Sequence, residues 1–285
     1  MIHPNSGLAP INIPVILKKY GLRPNKRLGQ NFLLDEAALR RVTDAAGILG
    51  GETVLEVGPG LGSLTRHLAV KASQVIAVEL DPNLIAPLRE VLSSFDNVTV
   101  VQGDILKLDP SELVHESNYL VAANIPYYIT SALIRHLLET PIQPKRMVLT
   151  LQKEVATRIC ASPPEMSLLA LSVQVYGNPQ IAARIPAGAF YPPPQVDSTI
   201  IRIELYPTPV IPPPYTNTFF KLAKAGFAQK RKTLRNALSA GLGWSKDQTE
   251  QILGDLGLDS HRRAETLSLE EWGKLSRQVH AMVVP

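Results

Sequence analysis

The chain has 285 residues, of which 45% are hydrophobic and 19% charged, with a formal net charge of +4 and a sequence pI of about 9.1. A soluble globular protein of this length can bury a sizeable core, and it divides naturally into one larger and one smaller domain. The single cysteine, Cys160, excludes an intramolecular disulfide and a multi-cysteine metal site, while the modest positive charge is compatible with a polyanionic partner.

The amino-terminal 35 residues are basic and carry no recognisable export signal. Their basic side chains include Lys18, Lys19, Arg23, Lys26 and Arg27. The first 17 residues contain three prolines and no basic leader, which argues against secretion. The longest uncharged stretch, residues 117–134, has an asparagine, a proline and two tyrosines at its middle, and these are costly in hydrocarbon. We therefore expect a cytoplasmic protein without a membrane partner.

A glycine-rich turn follows an early predicted strand. Residues 53–57 form an apolar, β-branched run that ends in residues 58–62 (GPGLG) and continues into a helical segment from Ser63. A glycine turn between a strand and a helix lets the backbone approach a ligand closely. Ser63 occupies the place of the third glycine of the dinucleotide pattern, which serves packing beneath a pyrophosphate. The sequence therefore favours a cofactor without phosphates.

Carboxylates follow the next two predicted strands. Glu79 ends the run 74–79 and lies 21 residues after Gly58, a distance at which an acid accepts both hydroxyls of an unphosphorylated ribose. Asp104 follows the strand 98–102, where it could accept a hydrogen bond from an adenine amine. A solvated charge at a strand end is the alternative for either acid taken alone.

Residues 124–127 (NIPY) follow a short apolar run, residues 119–123, that predicts a buried strand. An amide, a rigid proline and an aromatic ring at the carboxyl edge of a parallel sheet can hold a flat ring that bears an amine. This pattern indicates a grip on a nucleobase. The alternative is an ordinary turn followed by a packed tyrosine, since Asn-X-Pro sequences often start turns.

Later segments complete an alternating strand and helix pattern and then change character. Further strands are predicted at 146–151, 180–185 and 198–205, so we expect a mainly parallel, doubly wound sheet with right-handed crossovers. Residues 207–214 (PTPVIPPP) predict a stiff linker. Periodic apolar residues after the linker predict several short helices.

A basic run in the carboxyl-terminal part predicts a contact with RNA. Six lysines and arginines and no acid lie between Lys221 and Arg235, within a pattern that places Phe227, Leu234 and Leu238 on one helical face. Lys232 and Arg235 would be neighbours on such a helix and could contact phosphates. A solvated helix face is the alternative.

In their order along the chain, the GPGLG turn, Glu79, Asp104 and the NIPY segment resemble the S-adenosylmethionine-dependent rRNA adenine dimethyltransferase family, small-subunit (16S) kasugamycin-sensitivity type. Residues 27–35 (RLGQNFLLD) and 190–198 (FYPPPQVDS) are similar to that family's amino-terminal motif and its late proline-rich loop. Residues 227–238 and 263–268 look like the small-subunit branch rather than the macrolide-resistance branch. The resemblance covers nearly the whole chain.

The resemblance implies an α/β, Rossmann-like class I methyltransferase fold, with a mostly parallel seven-stranded sheet whose last strand is antiparallel. A small, all-helical carboxyl-terminal domain follows. Residues 1–206 would form the cofactor-binding catalytic domain, with residues 1–35 as a segment that closes over the cofactor. Residues 207–214 would be the linker, and residues 215–285 the RNA-binding domain.

The implied reaction transfers methyl groups from S-adenosyl-L-methionine to the exocyclic amines of two adjacent adenines near the 3′ end of small-subunit rRNA. The expected acceptors of the amine hydrogens are the Asn124 side-chain oxygen and the Ile125 carbonyl. Pro126 would fix the turn, and Tyr127 would stack on the base for about 1–3 kcal/mol. Phe190 is a candidate for the opposite face of the ring, or else an ordinary core aromatic. The residues expected to bind the cofactor, which needs no metal, are Asn31, Leu33, Gly58, Gly60, Glu79, Asp104, Ile105 and Asn124.

The expected partner is small-subunit rRNA, within a pre-ribosomal particle, bound by a monomer through Lys230, Arg231, Lys232 and Arg235. Gln195 departs from the family, which usually has a lysine there, and its neutral side chain would weaken a phosphate contact. Three alternatives remain at this point: a large-subunit rRNA methyltransferase of the antibiotic-resistance type, a nucleic-acid-binding relative without catalysis, and a nicotinamide dehydrogenase.

Overall fold

The structure is a computed structural model that describes residues 8–115, 118–125 and 129–283. Its chain folds into two compact units. The first unit consists of the chain up to Ala156 together with Gln180–Leu205, and the second consists of Thr157–Pro179 and the chain from Tyr206 onward.

Helices and strands alternate through the first part of the chain, as the sequence predicts. The strands are β1 (Phe32–Leu33), β2 (Thr53–Val57), β3 (Gln74–Glu79), β4 (Val98–Gln102), β5 (Leu120–Asn124), β6 (Arg146–Gln152), β7 (Gly177–Ile185), β8 (Phe190–Tyr191) and β9 (Ser198–Leu205). The helices are α1 (Ile13–Lys19), α2 (Glu36–Ala46), α3 (Ser63–Ala69), α4 (Pro82–Val91), α5 (Pro110–Leu113), α6 (Thr130–Leu138), α7 (Lys153–Ile159), α8 (Leu168–Gln174), α9 (Pro213–Phe227), α10 (Leu234–Leu242), α11 (Lys246–Asp255) and α12 (Leu269–Val283).

A seven-stranded sheet in the order β4-β3-β2-β5-β6-β9-β7 forms the centre of the fold. The pairs from β4 to β6 are parallel, and β9 lies antiparallel to β6, between it and β7. Every residue of β2 is buried, which is usual for a parallel strand that is covered on both faces. The predicted fold class, including the antiparallel last strand, is confirmed.

A short antiparallel pair joins two distant segments of the first unit. Strand β1 pairs with β8, with Phe32 opposite Tyr191 and Leu33 opposite Phe190. The Asp35 side chain then caps α2 by accepting a hydrogen bond from the Ala38 N–H. The amino-terminal motif is thereby fixed beside the late proline-rich loop.

The second unit is a helical bundle around a core that includes Trp272 and Phe219. Residues 157–179 belong to this unit, because Met166, Ala170 and Leu171 are buried in its core. The sequence assigned those residues to the catalytic domain, so that predicted boundary differs from the structure. A discontinuous unit of this kind leaves no signal in local composition.

The proline-rich stretch 207–214 is more ordered than a free linker. Ile211 is 1% exposed within the helical core, and the Val210 N–H donates to the Val175 carbonyl oxygen at 2.9 Å. Helix α9 begins at Pro213, because proline is well tolerated in the first turn of a helix.

The single helix predicted across residues 227–238 is wrong. Helix α9 ends at Phe227 and α10 begins at Leu234, with the Thr233 side chain accepting a hydrogen bond from the Asn236 N–H. Threonine is a strong helix start signal, and a new helix therefore begins after Thr233. The apolar spacing of Phe227, Leu234 and Leu238 had suggested one continuous helix. In the parts of the chain that are described, no helix is both long and apolar enough to cross a bilayer.

Candidate active site

A cavity of about 260 Å³ lies at the carboxyl ends of the parallel strands in the first unit. Open α/β sheets bind ligands at this edge. The structure brings ten of the sequence-predicted site residues to its walls, namely Asn31, Leu33, Gly58, Gly60, Glu79, Asp104, Ile105, Asn124, Ile125 and Phe190. Pro126, Tyr127 and Tyr128 lie outside the described residues.

The glycine turn adopts a backbone that other residues rarely take. Gly60 has a φ of +59°, and a Cβ atom added to it would lie 2.9 Å from Cδ1 of Phe32. Its N–H donates to Oε2 of Glu79 at 3.0 Å. The turn therefore fits closely between β1 and the end of β3, as a cradle for an adjacent ligand requires.

Glu79 is a buried carboxylate held by the backbone. It is 5% exposed, and its Oε1 accepts a second hydrogen bond, from the Asp81 N–H at 2.8 Å. Burial raises the pKa of Glu79, while these two N–H donors act in the opposite direction. Two oxygens carry about four lone-pair sites, more than the backbone N–H groups occupy, so acceptor sites remain for the hydroxyl groups of a ribose.

Asp104 and Ile105 follow β4 and line the neighbouring wall. Oδ1 of Asp104 accepts a hydrogen bond from the Leu106 N–H at 3.1 Å, and its Oδ2 lies 3.7 Å from Nζ of Lys107. Ile105 is buried, whereas Leu80, which also lines the cavity, is 44% exposed. Sequence analysis did not assign Leu80, although its position directly after Glu79 could have indicated a second apolar contact for a purine.

Asn124 ends β5, and its orientation is set by one hydrogen bond. Its Nδ2 donates to the backbone oxygen of Asn31 at 3.0 Å, and the Asn31 Nδ2 in turn donates to the Gly29 oxygen at 3.1 Å. Only the NH₂ end of the amide can face a carbonyl oxygen, so Oδ1 of Asn124 points away from Asn31.

Ile125 continues the chain at the end of the strand. Its side chain is 2% exposed, and its N–H lies 3.4 Å from the oxygen of Thr150, which is the register partner of Asn124 on β6. The predicted role of Ile125 belongs to its backbone carbonyl, so the buried side chain serves as an anchor.

The amino-terminal motif closes one side of the cavity through contacts that sequence analysis missed. Nε2 of Gln30 donates to Oδ2 of Asp81 at 2.8 Å, while Oε1 of Gln30 accepts from the Asn25 N–H at 2.8 Å. Phe32 packs in a small cluster with Ile13, Leu17, Leu61 and Leu84. Asp81 also caps the amino terminus of α4, which begins at Pro82. An aspartate followed by a proline is a helix start signal, and it could have identified Asp81 from the sequence.

Glu56 is a further cavity residue that sequence analysis left without a role. It lies within β2, is 1% exposed, and its Oε2 has no hydrogen-bond partner in the described part of the chain. Burial is the main cause that raises the pKa of Glu56 to about 8. An acid inside an apolar strand was the available signal, because a charged residue is rarely fully buried without a partner.

Phe190 reaches the cavity from β8 but is also part of the core. It is 4% exposed and belongs to a buried cluster with Leu33, Ile185 and Ile200. Its ring therefore has a packing role, which was the alternative interpretation. Stacking on a base remains a prediction.

The four predicted RNA contacts lie in the second unit and differ from one another. Lys230, Arg231 and Lys232 are exposed in the turn between α9 and α10. Arg235, by contrast, forms an ion pair with Glu250, and its side chain is 28% exposed. The predicted pairing of Lys232 with Arg235 on one helix is wrong, and the charge of Arg235 is already partly compensated.

Comparison with known proteins identifies close relatives. Residues 21–276 match the family described as Ribosomal RNA adenine dimethylase. The chain is 48% identical over 261 residues to a protein of Dehalococcoides mccartyi (strain CBDB1) named "Ribosomal RNA small subunit methyltransferase A", covering 91% of this chain and 90% of the relative.

Two solved structures share the fold over most of their length. A dimethyladenosine transferase from Plasmodium falciparum superposes with a TM-score of 0.74 and 26% identity, over 86% of this chain and 95% of that one. The 23S rRNA methyltransferase ErmE gives a TM-score of 0.72 and 28% identity, over 87% of this chain and 99% of that one.

Proposed function

This chain belongs to the ribosomal RNA adenine dimethylase family, and on that premise we propose how its cavity binds the methyl donor and the target base. The protein is an S-adenosylmethionine-dependent enzyme that dimethylates adenines of small-subunit rRNA. We propose that the substrates are two adjacent adenines near the 3′ end of that RNA.

The residues of the cavity fit S-adenosylmethionine. Buried Glu79 keeps acceptor sites for ribose hydroxyls, and Gly60 leaves no room for a side chain beside Phe32. Ile105 and Leu80 supply apolar surface for the purine, with Asp104 in place for its amine. When bound, this cofactor supplies an activated methyl group on a positively charged sulfur.

The observation that carries the proposal is the hydrogen bond from Asn124 to the Asn31 oxygen. It turns Oδ1 of Asn124 away from Asn31, where it can accept a hydrogen from an adenine amine. A second acceptor, the Ile125 carbonyl, would take the other hydrogen. Binding both hydrogens favours a pyramidal nitrogen whose lone pair faces the methyl group, so catalysis rests mainly on positioning.

Pro126 and Tyr127, which lie outside the described residues, are assigned by the proposal to fixing the turn and to stacking on the base. Phe190 would border the opposite face of the ring. Stacking on an aromatic ring does not depend on which base is bound, and it contributes about 1–3 kcal/mol per base. This is enough to hold an adenine that has left its RNA stack.

The small-subunit assignment rests on the degree of similarity. The relative named for the small subunit is 48% identical, whereas the 23S rRNA methyltransferase is 28% identical despite its similar fold. We propose that the enzyme acts as a cytoplasmic monomer on a pre-ribosomal particle, because a broad basic contact suits a folded RNA shape. The exposed run Lys230, Arg231 and Lys232 is the proposed phosphate contact.

Replacing Asn124 with alanine tests the proposal. The variant loses the acceptor for the amine hydrogen, so we expect methyl transfer to fall by at least about 100-fold, as for the loss of a catalytic hydrogen-bonding group. RNA affinity should stay within about threefold of the wild type. Incorporation of labelled methyl groups into small-subunit rRNA, followed by mass analysis of the RNA, measures the first quantity, and a filter-binding titration measures the second.

Asn178→Ala is the matched control, since Asn178 is exposed on β7 and does not line the cavity. It should leave both quantities unchanged. Equal loss of RNA binding and methyl transfer in Asn124→Ala would show that Asn124 acts on the fold rather than on the reacting amine.

A further inference from the structure

Glu56 has no part in the reaction described above, yet it lines the donor cavity. It is 1% exposed, and its Oε2 is without a hydrogen-bond partner among the residues described. A buried carboxylate without a partner is costly, so such a site either holds the neutral acid or faces a cation. The proposed ligand of this cavity is a cation.

The packing around Glu56 offers little to stabilise a negative charge. Its register partners are Ala77 on β3 and Ala122 on β5. From α3 the hydroxyl of Thr65 acts to lower the pKa of the acid, although neither this hydroxyl nor Oε2 of Glu56 has a hydrogen-bond partner among the described residues. The charge of Glu79 acts in the opposite direction and raises that pKa.

The remaining ionisable groups of α3 are directed elsewhere. Nη1 of Arg66 donates to the Ala9 oxygen at 2.9 Å, and Nε2 of His67 lies 3.1 Å from Oε2 of Glu36. Burial therefore dominates, and the pKa of Glu56 is raised to about 8. We therefore expect the acid to be mainly protonated at neutral pH before the donor binds.

We propose that Glu56 responds to the charge of the bound cofactor: it releases its proton to water when the cationic donor binds, and it takes up a proton when the neutral product remains. The inference rests on the proposed assignment of the cavity to S-adenosylmethionine. It adds a residue that distinguishes the donor from the spent cofactor.

The steps balance in atoms and charge. Methyl transfer breaks the carbon–sulfur bond and leaves its electron pair on sulfur, while the adenine nitrogen forms the new bond with its lone pair and loses one proton to water. A sulfonium cation becomes a neutral thioether in this step. The Glu56 carboxylate then no longer faces the sulfonium charge, and it recovers from water the proton that it released on donor binding.

This proton exchange makes the preference of the cavity for S-adenosylmethionine over S-adenosylhomocysteine depend on pH. A ligand shifts an equilibrium only by its difference in affinity for the two states, and only the donor favours the carboxylate. Donor affinity should therefore rise with pH until Glu56 is ionised in the free enzyme. The affinity of S-adenosylhomocysteine should not rise with it, and reprotonation of Glu56 would favour its release.

Isothermal titration calorimetry on the full-length protein tests this directly. Each ligand, S-adenosylmethionine and S-adenosylhomocysteine, is titrated at pH 6, 7, 8 and 9 in two buffers of different ionisation enthalpy, which gives the number of protons released. We expect about one proton more for the donor than for the product at pH 7, and a donor affinity that rises about tenfold per pH unit below the pKa. The positively charged sulfur lowers the pKa of the donor's amino group below that of the product's, so the proton count and the pH slope assigned to Glu56 are the differences between the wild type and Glu56→Gln.

Glu56→Gln provides the second arm, because the amide has the shape of the neutral acid and no charge to gain. We expect its donor affinity to lose the pH slope and its preference for donor over product at pH 8 to fall at least tenfold, with unchanged affinity for S-adenosylhomocysteine. Glu112→Gln, an exposed acid on α5, should behave as the wild type.

Equal proton release by both ligands in the wild type, or a pH slope that persists in Glu56→Gln, would overturn the inference while leaving the donor site intact. Failure of both ligands to bind at any pH would overturn the donor site and the inference together.

Discussion

Two acids on neighbouring strands show how local hydrogen bonding decides what a buried carboxyl can do. Glu79 and Glu56 are 5% and 1% exposed, and burial raises the pKa of each. Backbone N–H groups of Gly60 and Asp81 hold the Glu79 carboxylate, whereas Oε2 of Glu56 has no such donor in the described chain. Glu79 is therefore suited to accept hydrogen bonds from hydroxyl groups as a permanent carboxylate. Glu56, in contrast, is suited to gain and lose a proton.

The raised pKa of Glu56 also predicts a pH dependence of folding stability. An acid whose pKa is about 8 in the folded state, against 4.5 in the unfolded state, binds protons more strongly when folded. Its contribution to stability is complete below pH 4.5 and is lost as the pH rises through 8. Without ligand, we expect the free energy of unfolding of the wild type, relative to Glu56→Gln, to fall by about 2–4 kcal/mol between pH 5 and pH 8.

Urea denaturation of both proteins at pH 5, 6.5 and 8 measures this difference. The comparison isolates Glu56, because every other titrating group is common to the two proteins. Glu112→Gln should run parallel to the wild type across the same range. A constant difference between wild type and Glu56→Gln would mean that Glu56 stays ionised, or stays neutral, in both states.

At the residue scale, much of the candidate site was predictable from strand ends. The side chains of Glu79, Asp104 and Asn124 follow three apolar runs, and parallel strands end at the same edge of a sheet. Glu56 was not predictable in the same way, because period-two alternation does not tell which face of a doubly covered strand borders a cavity.

At the scale of elements, backbone hydrogen bonds tie the loops after β2 and β4 to the end of β3, beside the donor cavity. The Gly58 N–H donates to the Val78 oxygen at 3.0 Å and the Gly103 N–H to the Glu79 oxygen at 2.9 Å, so the loops continue the register of the strands. A change at Gly60 should therefore be transmitted to the ligand site rather than absorbed by the loop.

Gly60→Ala should weaken donor binding in addition to weakening folding. The left-handed backbone costs about 1–2 kcal/mol for a residue with a Cβ atom. The new Cβ would also lie 2.9 Å from Phe32, which forces a shift beside Glu79. We expect the dissociation constant of S-adenosylmethionine, measured by calorimetry, to rise at least about tenfold, which corresponds to roughly 1.4 kcal/mol.

Gly21→Ala is the matched control for backbone strain. Gly21 has a φ of +66°, and a Cβ atom there would meet nothing within 4 Å. A similar loss of stability with unchanged donor affinity is expected. If both variants bind the donor equally well, the close approach of Gly60 to Phe32 has no bearing on the ligand.

Contacts between distant elements mark the limit of local sequence patterns. The Gln30 side chain meets Asp81, a residue 51 positions later, and β1 pairs with β8 across an even longer separation. Neither contact can be predicted from hydrophobic periodicity or from turn residues in the sequence. The resemblance to a known family placed residues 27–35 near the cofactor, but only the structure shows that Gln30 and Phe32 close that side of the cavity.

At the scale of the whole molecule, composition predicted two units but not their boundaries. The change of character near residue 207 was visible, because prolines interrupt both helix and sheet. Residues 157–179 join the helical unit through buried apolar side chains such as Leu171 and Val175, and these look the same in sequence as those of a sheet-covering helix. Burial partners, rather than composition, decide such membership.

The net charge of +4 is too small to explain an RNA contact by itself, so the arrangement of charges matters. Lys230, Arg231 and Lys232 are exposed, while Arg235 is paired with Glu250. Each phosphate contact contributes about 0.7–0.9 to the slope of log affinity against log salt concentration. Replacing all three exposed residues with alanine should therefore reduce that slope by about 2–3 and leave the donor dissociation constant unchanged.

Arg235→Ala separates this prediction from a general loss of positive charge. Because Glu250 already compensates the guanidinium, its removal should lower the thermal stability of the protein and leave the salt slope within about 0.3 of the wild type. Titrations of small-subunit rRNA fragments between 50 mM and 300 mM salt give both slopes. The contrary result would be a decrease in slope for Arg235→Ala as large as one third of the decrease for the triple variant. Arg235 would then leave Glu250 to bind phosphate, and the exposure of a basic side chain would not identify the RNA contacts.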